Sequence, residues 1–322
     1  MVWVAVVSLL AGGCSLPSKH PALKAMNIGM SEWVGYGPFY LGKDKGFFEE
    51  EGLDLSLVTE ELDSARRDAM RTGMLDCEAG AINLLVTKVA AGLPIVSVCE
   101  LDYSCGADGI VVSGDIKALE DLIGKRVVLA RDDSGEVFLA YLFYKKSLPF
   151  DKLNIISASP EKVSQVFLSD EADAVVTWEP ELSRSLDRPG SHVLVSTKEY
   201  PGVIIDTINV REDIVRDDPE RVKALMRGWF KAVAYYGAHP VESSEIIAKY
   251  FKMTPEDYRK SVEGLKWIGY AGQMKSARQA QWIDLFRTIA DIQLANGRIS
   301  KKPRAEAAIN TVLLKGLYET GK

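Results

Sequence analysis

Short β-branched runs alternate with stretches of helical apolar spacing through the first two-thirds of the chain, and this alternation limits the fold more than any other feature. Strands are expected at 25–30, 53–58, 76–79, 95–100, 110–112, 125–130, 155–158, 174–177, 192–196 and 203–210. Helices are expected between them at 39–48, 63–71, 83–91, 134–146 and 160–168. A strand that leads into a helix and then another strand builds parallel α/β structure. From Pro219 the pattern becomes almost continuously helical, over 219–237, 241–251, 255–265, 276–295 and 304–318. No repeat of solenoid period and no low-complexity linker interrupts the chain. The strand pattern restarts near Ser113 and returns near Thr197. The expected organisation is therefore one lobe made of 25–112 and 198–322, with a second lobe, 113–197, inserted into it.

Composition removes several function classes. A formal net charge of −6 with scattered basic residues argues against a nucleic-acid partner, which needs clustered positive charge. The three histidines, His20, His192 and His239, sit in no motif, so imidazole catalysis and a His-ligated metal are disfavoured and no cofactor is expected. Of four cysteines, Cys77, Cys99 and Cys105 follow Cys14; they permit one disulfide and a free thiol, or three buried thiols.

The N-terminus points to export. The apolar run from Val2 to Ala11 is shorter than the roughly 20 residues of a membrane span but suits a signal-peptide core, giving a signal segment over 1–14. Ala11, Gly12 and Gly13 ahead of Cys14 resemble the lipobox of bacterial lipoproteins, which implies lipidation at Cys14 and a protein anchored in the periplasm or on the cell surface. An ordinary cleaved signal with Cys14 incidental is the alternative.

Further motifs occur in a telling order: Trp33 to Leu41 (WVGYGPFYL) with Gly46-Phe47-Phe48 and Gly52-Leu53, then Gly106 to Val112 (GADGIVV), Asp121 to Lys125 (DLIGK) and Asp173 to Pro180 (DAVVTWEP). Together they resemble the periplasmic substrate-binding proteins of ABC importers, in the branch that takes taurine, alkanesulfonates, nitrate or thiamine-pyrimidine precursors. The resemblance implies an α/β, two-lobe type II binding fold with two hinge crossings and a helical C-terminal covering. It also implies a small-molecule ligand, and a permease and ATPase as partners. A sensory binding protein for a membrane receptor has the same fold. Pyrimidine-precursor synthases share the architecture too, but their histidine- and cysteine-rich chemistry is missing here, so no enzyme is expected.

Ligands of open α/β sheets bind beyond the carboxyl ends of strands, and the candidate residues all stand there. Trp33 and Tyr36 offer flat walls with polar tips. Ala81 and Asn83 open a helix whose free N–H groups could hold an anion. Asp102 and Ser104 follow a strand, as do Asp132, Ser134 and Glu136, where Asp133 or Ser134 also suits a helix cap. Trp178 and Glu179 end another strand, and Asp206 lies on the return strand. These loops hold several acids and only Arg131 as a cation. A bare anion would be opposed by such carboxylates, whereas an amine-bearing or zwitterionic solute gains charge pairing and cation–π contact of about 0.5–2 kcal/mol.

Overall fold

The computed structural model describes residues 22–318, so Cys14 and the signal segment lie outside the described residues. Eleven strands follow one another along the described residues. They are β1 (Lys24–Met30), β2 (Leu53–Thr59), β3 (Cys77–Ala81), β4 (Ile95–Ser104), β5 (Asp108–Val112) and β6 (Arg126–Leu129), then β7 (Asn154–Ser157), β8 (Ala174–Trp178), β9 (His192–Ser196), β10 (Ile205–Arg211) and β11 (Leu265–Trp267). Helices α1 (Gly37–Asp44), α2 (Asp63–Thr72), α3 (Ile82–Ala90), α4 (Ser134–Lys145), α5 (Val163–Leu168) and α6 (Glu181–Ser185) alternate with them. After β10 come α7 (Glu212–Asp217), α8 (Pro219–Ala238), α9 (Pro240–Ala248), α10 (Pro255–Val262), α11 (Tyr270–Gln273) and α12 (Ser276–Ala295).

The strands form two mixed sheets, ordered β11-β4-β10-β3-β1-β2 and β7-β6-β8-β5-β9. In the first, β1 runs parallel to β2 and β3, while β10 is antiparallel to both β3 and β4. Both faces of each sheet are covered, as near-parallel α/β sheets require. Trp229 of α8 and Tyr258 of α10 pack on one face of the first sheet, and Leu85 of α3 with Trp282 and Phe286 of α12 pack on the other. The helix starts follow their sequence signals. Asp218 and Thr254 cap α8 and α10 through Arg221 N–H (3.3 Å) and Asp257 N–H (3.1 Å), each with proline next.

Three expectations need correction. The strand at 110–112, expected in the first lobe, belongs to β5 and is hydrogen-bonded between β8 and β9 of the second sheet. The first crossing between sheets is therefore the turn 105–107, where Gly106 adopts φ of 135°. The helix expected over 304–318 is two short turns, because Ile309 pairs with Ser97 and draws the chain against the sheet. Finally, β11 falls where the sequence predicts the end of a helix.

The two crossings are tied together. Thr197 Oγ1 lies 2.6 Å from Ser104 Oγ and accepts the Gly106 N–H at 2.8 Å. The Gly264 carbonyl, between α10 and β11, accepts the N–H groups of Cys105 (2.8 Å) and Ala107 (3.0 Å). A Cβ at Gly264 would stand 2.5 Å from the backbone nitrogen of Ala107. Gly264→Ala is expected to destabilise the fold by about 1–3 kcal/mol, since rigid backbone must shift. Urea denaturation measures this, and unchanged stability would show that the crossing yields freely.

Candidate functional site

The carboxyl ends of the strands in both sheets face one another across a cleft. It is lined by Ser31, Trp33 and Tyr36 after β1, Arg66 of α2, and Gly80, Ala81 and Leu84 around the end of β3. The opposite side is Asp108, Asp133, Ser134 and Trp178, with Ile204 and Asp206 at the start of β10. Its empty space is about 410 Å³, the open mouth included, which suits a small solute.

Six of the twelve candidate residues meet here: Trp33, Tyr36, Ala81, Ser134, Trp178 and Asp206. Trp33 and Trp178 approach from different sheets, one from each side. The other six stand elsewhere. Asn83, Asp132 and Glu136 line a second cavity between α3, α4 and α12. Ser104 is engaged with Thr197 at the crossings. Glu179 turns back to accept from Ser183 N–H (3.1 Å) and Oγ (2.8 Å), closing the first turn of α6. Asp102 lies inside the sheet rather than in a loop, because β4 continues to Ser104 and pairs Asp102 with Asp206 of β10. It is fully buried, and neither carboxylate oxygen has a hydrogen-bond partner.

The charge pattern is sharper than sequence alone conveys. Tyr36 Oη donates to Asp206 at 2.7 Å, orienting that carboxylate, while desolvation pushes the Asp206 pKa up to about 6. Burial pushes Asp108 up to about 8 and Asp133 to about 6. Burial, reinforced by the Asp206 charge, holds Asp102 well above the usual carboxylate range. The acids thus divide into Asp102, buried beside Asp206 on the adjacent strand and outside the cleft lining, and cleft-facing groups able to ionise beside a cation.

One cation was missed. Arg66 is buried in the cleft wall, where Nη1 donates to the carbonyls of Glu60 and Glu61 and Nη2 to Asp63 (3.3 Å). Asp63 also accepts from Lys88 (2.7 Å), and Lys88 in turn holds buried Glu78 at 2.6 Å. This chain of two cations and two acids is neutral in sum, so Arg66 contributes local polarity without cancelling the cleft acids. Its position four residues before Met70, on the buried face of α2, was the available signal. Asp108 Oδ2 and Arg66 Nε are both buried without a hydrogen-bond partner. Buried polar atoms are almost always satisfied, so an acceptor and a donor left open in one cleft mark positions a solute can complete.

Among the described residues Cys77, Cys99 and Cys105 are free, Cys77 and Cys99 buried and Cys105 partly exposed, so these three are thiols. No helix among the described residues is long and apolar enough to cross a membrane.

Known proteins agree with this architecture. The structure superposes on the periplasmic aliphatic sulphonate binding protein SsuA from Escherichia coli with a TM-score of 0.76, at 18% identity, covering 90% of this chain and 93% of that one. It also superposes on the alkanesulfonate-binding SsuA from Xanthomonas axonopodis pv. citri, bound to MOPS, with a TM-score of 0.75 at 16% identity, covering 91% of this chain and all of that one. These likenesses establish the periplasmic-binding-protein fold with its helical C-terminal region. A Brucella abortus (strain 2308) protein named as a binding protein, with no ligand given, is 24% identical over 280 residues, 83% of this chain and 86% of its own. The family model described as NMT1/THI5 like matches residues 33–243, most of the chain and nearly all of the cleft wall, so the chain belongs to the NMT1/THI5-like family.

Proposed function

We propose that this chain is an extracytoplasmic solute-binding protein that captures a small amine-bearing or zwitterionic molecule and delivers it to an ABC import permease and its ATPase. The observation that carries this reading is the open acceptor of Asp108 and open donor of Arg66 in a cleft whose other charged groups are Asp133 and Asp206. An ammonium set against Asp206 and Asp108 replaces the water those carboxylates lost, and Trp33 and Trp178 supply flanking faces for cation–π contact. Arg66 can meet an acid end, which admits a taurine-like zwitterion. A plain anion would face the carboxylates as well, and their repulsion disfavours it. The sulfonate binders of the same fold support the transport role, and the acids here support a different demand on the ligand.

A thermal-shift panel of small amines paired with their deaminated counterparts tests the ligand class. Stabilisation by at least one amine and not by its counterpart is the expected result. Stabilisation by the deaminated partner of each pair would reverse the assignment. The sequence also supports lipid anchoring. Labelled fatty acid is expected to incorporate into the wild-type chain and not into Cys14→Ser, whereas equal labelling would remove the anchor.

A further inference from the structure

A second polar contact joins the two sides of the molecule away from the cleft. Arg298 follows the C-terminus of α12, beyond the left-handed Gly297, and its N–H is held by the Gln293 carbonyl at 2.8 Å. Gln293 itself donates to the Asn83 carbonyl (3.0 Å) and accepts from Thr87 (3.2 Å), fixing this turn on α3. From that base Arg298 crosses to the other sheet's helix α4, where Nη2 meets Glu136 Oε1 and Nη1 stands 3.2 Å from Asp132 Oδ1. The receiving side is also shaped for it. Asp132 holds a left-handed backbone (φ 59°), its N–H bonded to Glu136 Oε2 at 2.9 Å, and the Glu136 carboxylate is nearly buried. Arg131, on the same side as Glu136, shares Oε1 at 2.6 Å.

Resting on the two-lobe reading above, we propose that Arg298 is a clasp that holds the lobes together without touching the solute, so that this contact and the cleft jointly set how far the molecule closes. Both acids it grips belong to α4 and the turn before it, and its own anchor belongs to α12 and α3, so a hinge opening must separate them. The pair is partly shielded, which makes it stronger than an exposed surface bridge. Glu136 retains Arg131 when the lobes part, so opening does not strand a buried bare carboxylate. That keeps the clasp reversible.

Small-angle X-ray scattering of the ligand-free full chain tests this without any solute, so it is independent of whether the amine assignment holds. Arg298→Ala is expected to move the open-to-closed ratio about three- to tenfold toward open, and Arg298→Glu further, with the radius of gyration rising in that order. Arg131→Ala, which leaves the crossing pair intact, is expected to stay as compact as wild type. Circular dichroism confirms that each variant is folded. An Arg298→Glu radius equal to that of wild type, or opening by Arg131→Ala as large as by Arg298→Ala, would overturn the clasp.

Discussion

Asp206→Asn is expected to weaken binding of the captured solute by tens-fold to thousands-fold, while Asp102→Asn leaves it within a few-fold. Removing a carboxylate that pairs with a desolvated ammonium costs about 2–5 kcal/mol, because the ligand charge is left buried without a partner. Asp206 faces the cleft and is oriented by Tyr36. Asp102 is its cross-strand neighbour, fully buried and outside the cleft lining, and burial with the Asp206 charge raises its pKa well above the usual carboxylate range, so it is not placed to pair with the ligand. Asp257, exposed on α10, serves as the control for a solvated acid. Calorimetry with the solute found to stabilise the protein measures all three. Equal affinity in Asp206→Asn and wild type, with both folded, would remove the acidic cleft as the binding determinant.

Acidification is expected to act in opposite directions on the empty fold and on binding. Asp108 has its pKa raised from 3.8 to about 8, and Asp206 and Asp133 from 3.8 to about 6, burial being the main cause in each. A carboxyl with a raised folded pKa contributes stability that is fully present below its unfolded value and lost as pH rises through its folded value. The ligand-free protein should therefore lose stability from about pH 4 to about pH 8, the decline slackening above 6, where Asp206 and Asp133 are ionised in the folded state too, and ending near 8. Binding of an amine needs the carboxylates ionised, so affinity should fall as pH drops through about 8, where Asp108 takes up its proton, and again through about 6. Asp108→Asn should abolish the decline between pH 6 and 8 and raise the melting temperature at pH 9 by a few degrees, roughly 1–3 kcal/mol, since no charge then has to form in the interior. Scanning calorimetry across this range reads both effects. A melting temperature that rises from pH 6 to 8 in the empty wild-type protein would contradict the buried acid cluster.

The parts of the site legible in the sequence are those fixed by local order. Ser134 follows β6 and Trp178 ends β8, whose β-branched runs are plain, while Trp33 and Tyr36 follow β1 and Ala81 ends β3, and loops after parallel strands gather at one end of a sheet. Asp206 was found for a related reason, since β10 begins at the end where the others finish. What escaped depended on partners distant in the chain. Asp102 looks like a loop residue until β10 and β11 extend the pairing of β4 to Ser104. Glu136 looks like a cleft acid until α12, some 160 residues later, brings Arg298 to it. Arg66 hides among Arg67, Asp63 and Asp68 on a helix with every appearance of a solvated face, and only the buried Lys88 and Glu78 explain why it turns inward. Asp108 opens β5, and only the pairing of β5 with β8 stands that residue at the crossing, facing the cleft.

Native mass spectrometry of the gently purified full chain tests the central claim most directly, because a cleft with open polar atoms should retain its solute. The expected result is one small molecule bearing an amine or other cationic nitrogen per protein chain, present in wild type and depleted in Asp206→Asn. Retention of nitrate or of a sulfonate without nitrogen, at equal occupancy in both proteins, would contradict it.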